Sequence, residues 1–169
     1  MSKWGRKTFG NPCRECSFDW SLSAEDAVGL MRELPSSLGE LIRGADVSRR
    51  HPALGWTIKE YVCHVADNLR ISSERLVGAA RGGSTEVGRY DQDLLARARN
   101  YAQVPIEGAM WALERAVDDW ASALALATDA GVVLLHPERG PQTVFDVCLN
   151  NTHDGMHHRW DIARTLSER

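Results

Sequence analysis

The 169-residue chain contains no apolar run of the roughly 18–20 residues that a membrane span requires. Its net charge is only −3, from 20 basic and 23 acidic side chains, so no polybasic surface suits it to nucleic acid or an anionic membrane. The opening stretch MSKWGRKTFGNPC is basic but lacks the apolar core of a secretory leader, which makes a cytoplasmic protein the expectation. There are only four cysteines, and in that compartment they are expected as thiols or metal ligands rather than disulfides. No GxGxxG follows a strand, and there is neither a P-loop nor a defensible Ser-His-Asp arrangement. Alternating β-type segments and internal repeats are also missing. These absences leave a helical protein with a small-molecule partner as the starting expectation.

The helical patterns are present in strength. SLSAEDAVGLMRELPSSLGELIRG opens on Ser23 as N-cap, carries acids in its first turn and ends at Gly44, with Pro35 expected to kink or split it. TIKEYVCHVADNLRISSERLVGAA opens with a Thr57–Glu60 capping box and bears an apolar stripe at Ile58, Val62, Val65, Leu69 and Leu76. YDQDLLARARNYAQ reads as a weaker, partly helical connector. Pro105 suits the first turn of a third long helix, and VVLLHPERGPQ reads as a turn-rich connector. Thr143 caps a last helix that runs to about residue 167. Four long helices predict an all-α, four-helix bundle over residues 23–169, preceded by an irregular arm, residues 1–22, that carries Cys13-x2-Cys16.

The last helix poses the functional question. Its stretch NNTHDGMHHRWDI holds two overlapping i, i+4 pairs, His153/His157 and Asp154/His158. At about 100° per residue, Val144, Val147, Cys148, Asn151, Gly155 and Ile162 share the core arc. His158 falls inside that arc and Asp154 at its edge. His153 and His157 fall on the opposite side with Leu149, Met156 and Trp160. A carboxylate and an imidazole inside a bundle are costly unless paired or metal-bound. His64 flanks the stripe of the second helix, one turn from Tyr61 and Asn68. His64, Asp154 and His158 would give three protein ligands and an open position, the layout of a catalytic zinc. An Asp–His hydrogen-bonded pair without metal fits the same spacing. For the outward pair, Cys13 and Cys16 complete the ligand set of a closed, structural Cys2His2 zinc site; solvated histidines and an unrelated cysteine pair are the plainer reading.

WTIKEYVCHVAD and HDGMHHRWDI together resemble the two signature segments of the DinB-like superfamily of four-helix-bundle metalloproteins. Aligned on Asp161-Ile162, the resemblance implies His158 as the last metal ligand, Asp154 as the preceding one and His64 as the first. Many relatives carry His at the Asp154 position, and the mycothiol-dependent maleylpyruvate isomerase branch carries a carboxylate there. CRECSFDW is similar to an arm found in a subgroup of DinB-like proteins. The resemblance implies a divalent metal, zinc first with nickel or another ion also fitting, and often a homodimer. It further implies thiol-dependent S-transfer or isomerisation with a low-molecular-weight thiol such as mycothiol. A metal-dependent hydrolase and a non-catalytic, metal-stabilised binding or stress-response module are the alternatives. No catalytic residue apart from the ligands is singled out.

The remaining candidates read as structural. Cys63 is expected as a packed thiol and Cys148 as core near the inner group. Asp67 is placed on the solvent side, as a solvated charge or an outer partner of His64. Asp91 and Asp93 are expected to cap, Trp111 and Trp120 to serve core or interface, and His51 and His136 to sit solvated in loops.

Overall fold

Helices α2 (Ala24–Leu41), α3 (Ile58–Ala80), α5 (Ile106–Asp129) and α6 (Val144–Ser167) form the bundle in a computed structural model that describes residues 5–168. A short α1 (Arg6–Phe9) lies in the arm, and α4 (Gln92–Ala98) with a 3-10 turn (Tyr101–Gln103) connects α3 to α5. Among the described residues no helix is long and apolar enough to cross a membrane. The helix starts follow local chemistry. Ser23 Oγ accepts from the Asp26 amide, and Thr57 and Thr143 each close a capping box, with Glu60 and Asp146 respectively. These caps satisfy amides that the first turn leaves without intrahelical partners.

Helix α2 stays continuous through Pro35, so of the expected kink or split the split does not occur, and the helix ends at Leu41 rather than Gly44. Met31, Leu34, Pro35 and Leu38 are all buried, so packing of this face holds the helix together across the one backbone hydrogen bond that proline removes. Helix α3 packs most extensively on α5, and α2 on α6, while α6 also borders α3. Trp120 fills the centre with no exposed surface, and its indole N–H donates to Asn151 Oδ1 at 3.0 Å.

The connector before α6 is a β-hairpin, which the sequence pattern did not suggest. Strand β1 (Val133–His136) pairs antiparallel with β2 (Gly140–Thr143), His136 opposite Gly140, and Gly140 takes a positive φ of 71° in the turn. Leu134 and His136 point inward while Val133 and Leu135 stay exposed, so apolar residues occupy both faces and erase the alternation. Residues 85–87 join alongside, Leu135 N donating to Thr85 O and Val87 N to Leu135 O. The hairpin thereby leans toward the end of the bundle where α3 and α6 meet.

Gly155 lets α6 approach α2 closely. A Cβ there would lie 2.9 Å from Met31 Sδ and 3.0 Å from Leu34 Cδ2, inside contact distance of two fully buried side chains. Gly155→Ala is expected to cost about 1–2 kcal/mol net, overpacking outweighing the roughly 1 kcal/mol gained in helix propensity. The check is a lower urea midpoint with unchanged slope. An unchanged midpoint would mean that Met31 moves aside freely.

Candidate metal centres

The inner group is assembled from two helices. His64 comes from α3, and Asp154 and His158 come from successive turns of α6. One donor atom from each lies within 4.8 Å of the others. His64 Nε2 is 3.6 Å from Asp154 Oδ2, and His158 Nε2 is 3.6 Å from Asp154 Oδ1. Such separations are too long for good hydrogen bonds. Asp154 presents one oxygen to each imidazole, at spacings close to the roughly 3.4 Å between ligands of a tetrahedral zinc with bonds near 2.1 Å. The donor set therefore fits a divalent ion.

Surrounding residues hold each donor in place. His158 Nδ1 lies 2.9 Å from Asp161 Oδ2, and Arg164 Nη2 donates to Asp161 Oδ1 at 2.8 Å. This pairing puts the imidazole proton on Nδ1 and turns the Nε2 lone pair toward Asp154. Tyr90 Oη donates to Asn68 Oδ1 at 3.0 Å, and Asn68 Nδ2 donates to Asp154 Oδ2 at 2.8 Å. Trp56 packs on His64 and Tyr61 on His158, with ring centroids 4.7 and 4.8 Å apart. Burial acts to raise the Asp154 carboxyl, but His158, His64 and Asn68 together hold it below the usual carboxylate range. Burial likewise opposes charge on His158, yet Asp154 and Asp161 outweigh it and raise the imidazole.

A cavity of about 600 Å³ opens beside His64 and Asp154. Its wall includes Asn68 and Tyr90 from the inner network, Arg75 from α3, and His136 and Arg139 from the hairpin. Burial lowers the guanidinium pKa of both Arg75 and Arg139. Burial, then Arg139 and Arg75, lowers His136 as well, so the ring is neutral at pH 7. Its Nδ1 accepts from the Glu138 and Arg139 amides at 3.2 and 3.4 Å, which leaves the proton on Nε2 as a donor. Arg89, also in the wall, is paired with Glu138 at 2.8 Å.

The outer group comprises Cys13, Cys16, His153 and His157, again with one donor atom each within 4.8 Å of the rest. The arm covers the face of α6 that carries the two histidines. His153 is buried, ringed by Phe9, Phe18 and Trp20 at centroid distances of 4.6, 5.5 and 4.5 Å. Burial first, then His157, pushes the His153 pKa down to about 4. Burial and the neighbouring Cys13 push the Cys16 thiol up to about 12. The two overlapping pairs of α6 thus serve different neighbours: Asp154/His158 face α3, and His153/His157 face the arm.

Three sequence expectations need correction. Asp67 is buried, 5% exposed, accepting from Tyr101 Oη at 2.5 Å, Arg99 Nη1 at 2.7 Å and Arg70 Nε at 3.3 Å. His136 belongs to β1 and is buried in the cavity wall. His51 is partly buried and lies 3.0 Å from Glu168 Oε1. Asp91 does cap α4 through the Asp93 and Leu94 amides. Cys63 and Cys148 are buried thiols, each pushed up to about 11 by burial. Trp120 is core, whereas Trp111 is exposed. The sequence reading missed Arg75, Tyr90, Arg139 and the role of Asp161 toward His158; only the i, i+3 spacing of His158 and Asp161 signalled any of these.

The sequence pattern of the DinB superfamily matches residues 30–162, a span that contains both members of each α6 pair and His64. No curated protein sequence matches the chain. Among solved structures the fold is similar to that of YfiT from Bacillus subtilis, described as "a probable metal-dependent hydrolase with an unusual four-helix bundle topology". The TM-score is 0.73, with 20% sequence identity over 86% of this chain and 89% of that one. At that identity the likeness establishes the shared fold.

Proposed function

Since the chain belongs to the DinB superfamily, we propose that it is a metal-dependent enzyme that hydrolyses a small anionic molecule. One observation carries the reading: a three-donor group, His64, Asp154 and His158, borders a cavity of about 600 Å³ whose wall holds Arg75 and Arg139. A divalent ion there would supply a Lewis acid and lower the pKa of water at its remaining position. The protein's own groups do the rest. Asp161 and Asn68 orient His158 and Asp154. Arg75, Arg139 and the His136 Nε2 donor would receive the anionic part of the substrate. The description of YfiT supports hydrolysis as the reaction type.

The carboxylate of Asp154 favours a second reading. Its position resembles the ligand position of the mycothiol-dependent branch, where a low-molecular-weight thiol would take the place of water in S-transfer or isomerisation. The test is turnover of carboxylate- and phosphate-bearing esters and amides by zinc- or nickel-loaded protein, with and without added thiol. Thiol-independent hydrolysis is expected. Arg139→Met should raise KM for the anionic substrates about tenfold, the loss of one charge-assisted contact, and leave neutral analogues unaffected. Turnover that requires thiol would establish the second reading. No turnover and no ligand binding in the cavity would leave the metal-stabilised module.

A further inference from the structure

We propose that Cys13, Cys16, His153 and His157 hold a structural zinc ion that clasps the N-terminal arm onto α6. The four donor atoms already stand within 4.8 Å of one another. Cys13 Sγ lies 3.9 Å from His157 Nδ1, close to the roughly 3.6 Å expected between sulfur and nitrogen ligands of one tetrahedral zinc. Two thiols and two imidazoles select zinc over hard cations such as magnesium or calcium.

A second observation points to a ligand independently. His153 is 5% exposed, and among the described residues its Nε2 has no hydrogen-bond partner. An orphaned ring nitrogen inside an aromatic cage is costly, and a metal bond at that atom removes the cost. His157 shows the complementary arrangement. Its Nε2 lies 3.5 Å from Glu15 Oε2, so the carboxylate takes one side of the ring and Nδ1 is left facing Cys13.

The arm's backbone is shaped for the same purpose. Cys13 N donates to Phe18 O at 2.8 Å, and Ser17 N donates to Cys13 O at 2.9 Å. Ser17 adopts a φ of 60°, a conformation that a non-glycine residue rarely takes and that reverses the chain directly after Cys16. The reversal brings both sulfurs to one side of a tight loop, toward α6. Four protein ligands fill a tetrahedral shell, so this ion would have no position for substrate; its role is to fasten the arm. Binding would release the two thiol protons. The clasp also reaches the inner group through covalent neighbours: His157 and Asp154 sit directly beside His158 and His153 along α6.

Cobalt(II) titration of the metal-free full-length chain tests the site, because only a thiolate-bound cobalt gives an intense near-ultraviolet charge-transfer band. The band is expected in the wild type, unchanged in His158→Ala and absent in Cys13→Ser/Cys16→Ser, which should bind one equivalent less. Trypsin should then cut the variant's arm at Arg6, Lys7 or Arg14 while α6 stays intact. Should the double variant fail to fold, Cys16→His keeps four ligands with one thiolate and should show about half the band intensity. Absence of the band in the wild type would overturn the proposal. So would Cys13 and Cys16 thiols that stay open to alkylation in protein kept under reductant and saturated with zinc. Failure of the inner site alone would read differently: one equivalent of cobalt in total, with the band intact.

Discussion

His158→Ala is expected to lower metal affinity at the inner group by more than about 100-fold, because losing a ligand must exceed the 10–100-fold cost of losing a ligand's outer partner. The side chain does two things at once. Its Nε2 stands 3.6 Å from Asp154 Oδ1, and its Nδ1 is held 2.9 Å from Asp161 Oδ2. Alanine removes the donor and leaves His64 and Asp154 as the two remaining candidate ligands. The helix itself should persist, since His158 is partly exposed and Ala is the better helix former. Competition against a chromophoric chelator, with circular dichroism as the control, reads both quantities. Asp161→Asn is the graded arm of the same experiment. It keeps the shape but weakens the hold on the His158 ring, so affinity should fall about 10–100-fold while all three donors remain. Full metal retention in His158→Ala would mean that the Asp154 cluster is a plain polar contact between α3 and α6.

Most of the bundle was legible because its helix signals are local. Ser23, Thr57 and Thr143 act on amides three residues away, and each starts a helix where its side chain predicts. The division of α6 into two faces, Asp154/His158 toward α3 and His153/His157 toward the arm, was legible for the same reason, since a 100° advance per residue is a property of the helix alone. The sequence also placed His153 on a covered face, although the depth of its burial under Phe9, Phe18 and Trp20 depends on how the arm folds back. What lay beyond reach depends on long-range contact. The hairpin has no alternation to read, because Val133 and Leu135 are exposed next to buried Leu134. Arg139 and His136 reach the cavity only through the hairpin, and Arg75 is an ordinary helix-surface arginine until the segment after α3 returns, with Gly88 O accepting from its guanidinium and the Tyr90 ring beneath it. Asp67 was misplaced because its partners Tyr101 and Arg99 come from the connector, more than 30 positions along the chain.

That carboxylate is the site of the largest stability effect expected outside the hydrophobic core. Asp67 anchors the connector to α3, accepting from Tyr101 Oη, Arg99 Nη1 and Arg70 Nε. Arg99 and Arg70 are about half exposed, so water screens their share. Tyr101 is different: the residue is 2% exposed, burial and the Asp67 carboxylate both raise its phenol pKa, and its hydroxyl has nowhere else to turn if the acceptor disappears. Asp67→Ala should therefore cost about 3 kcal/mol, combining a buried hydroxyl left without its partner with the loss of two screened ion pairs. Asp67→Asn still accepts from Tyr101 and should cost about half as much, since only the charge is removed. Urea denaturation separates the two variants. The inner metal provides the discriminating readout, because Asp67 lies one turn beyond His64 on α3 and its three hydrogen-bond donors are Tyr101, Arg99 and Arg70, with the His64 ring engaged toward Asp154 instead. Metal affinity should consequently stay at the wild-type value in Asp67→Asn while stability falls. A fall in affinity of the size expected for Asp161→Asn would instead make Asp67 an outer partner of His64, coupling the connector to the metal.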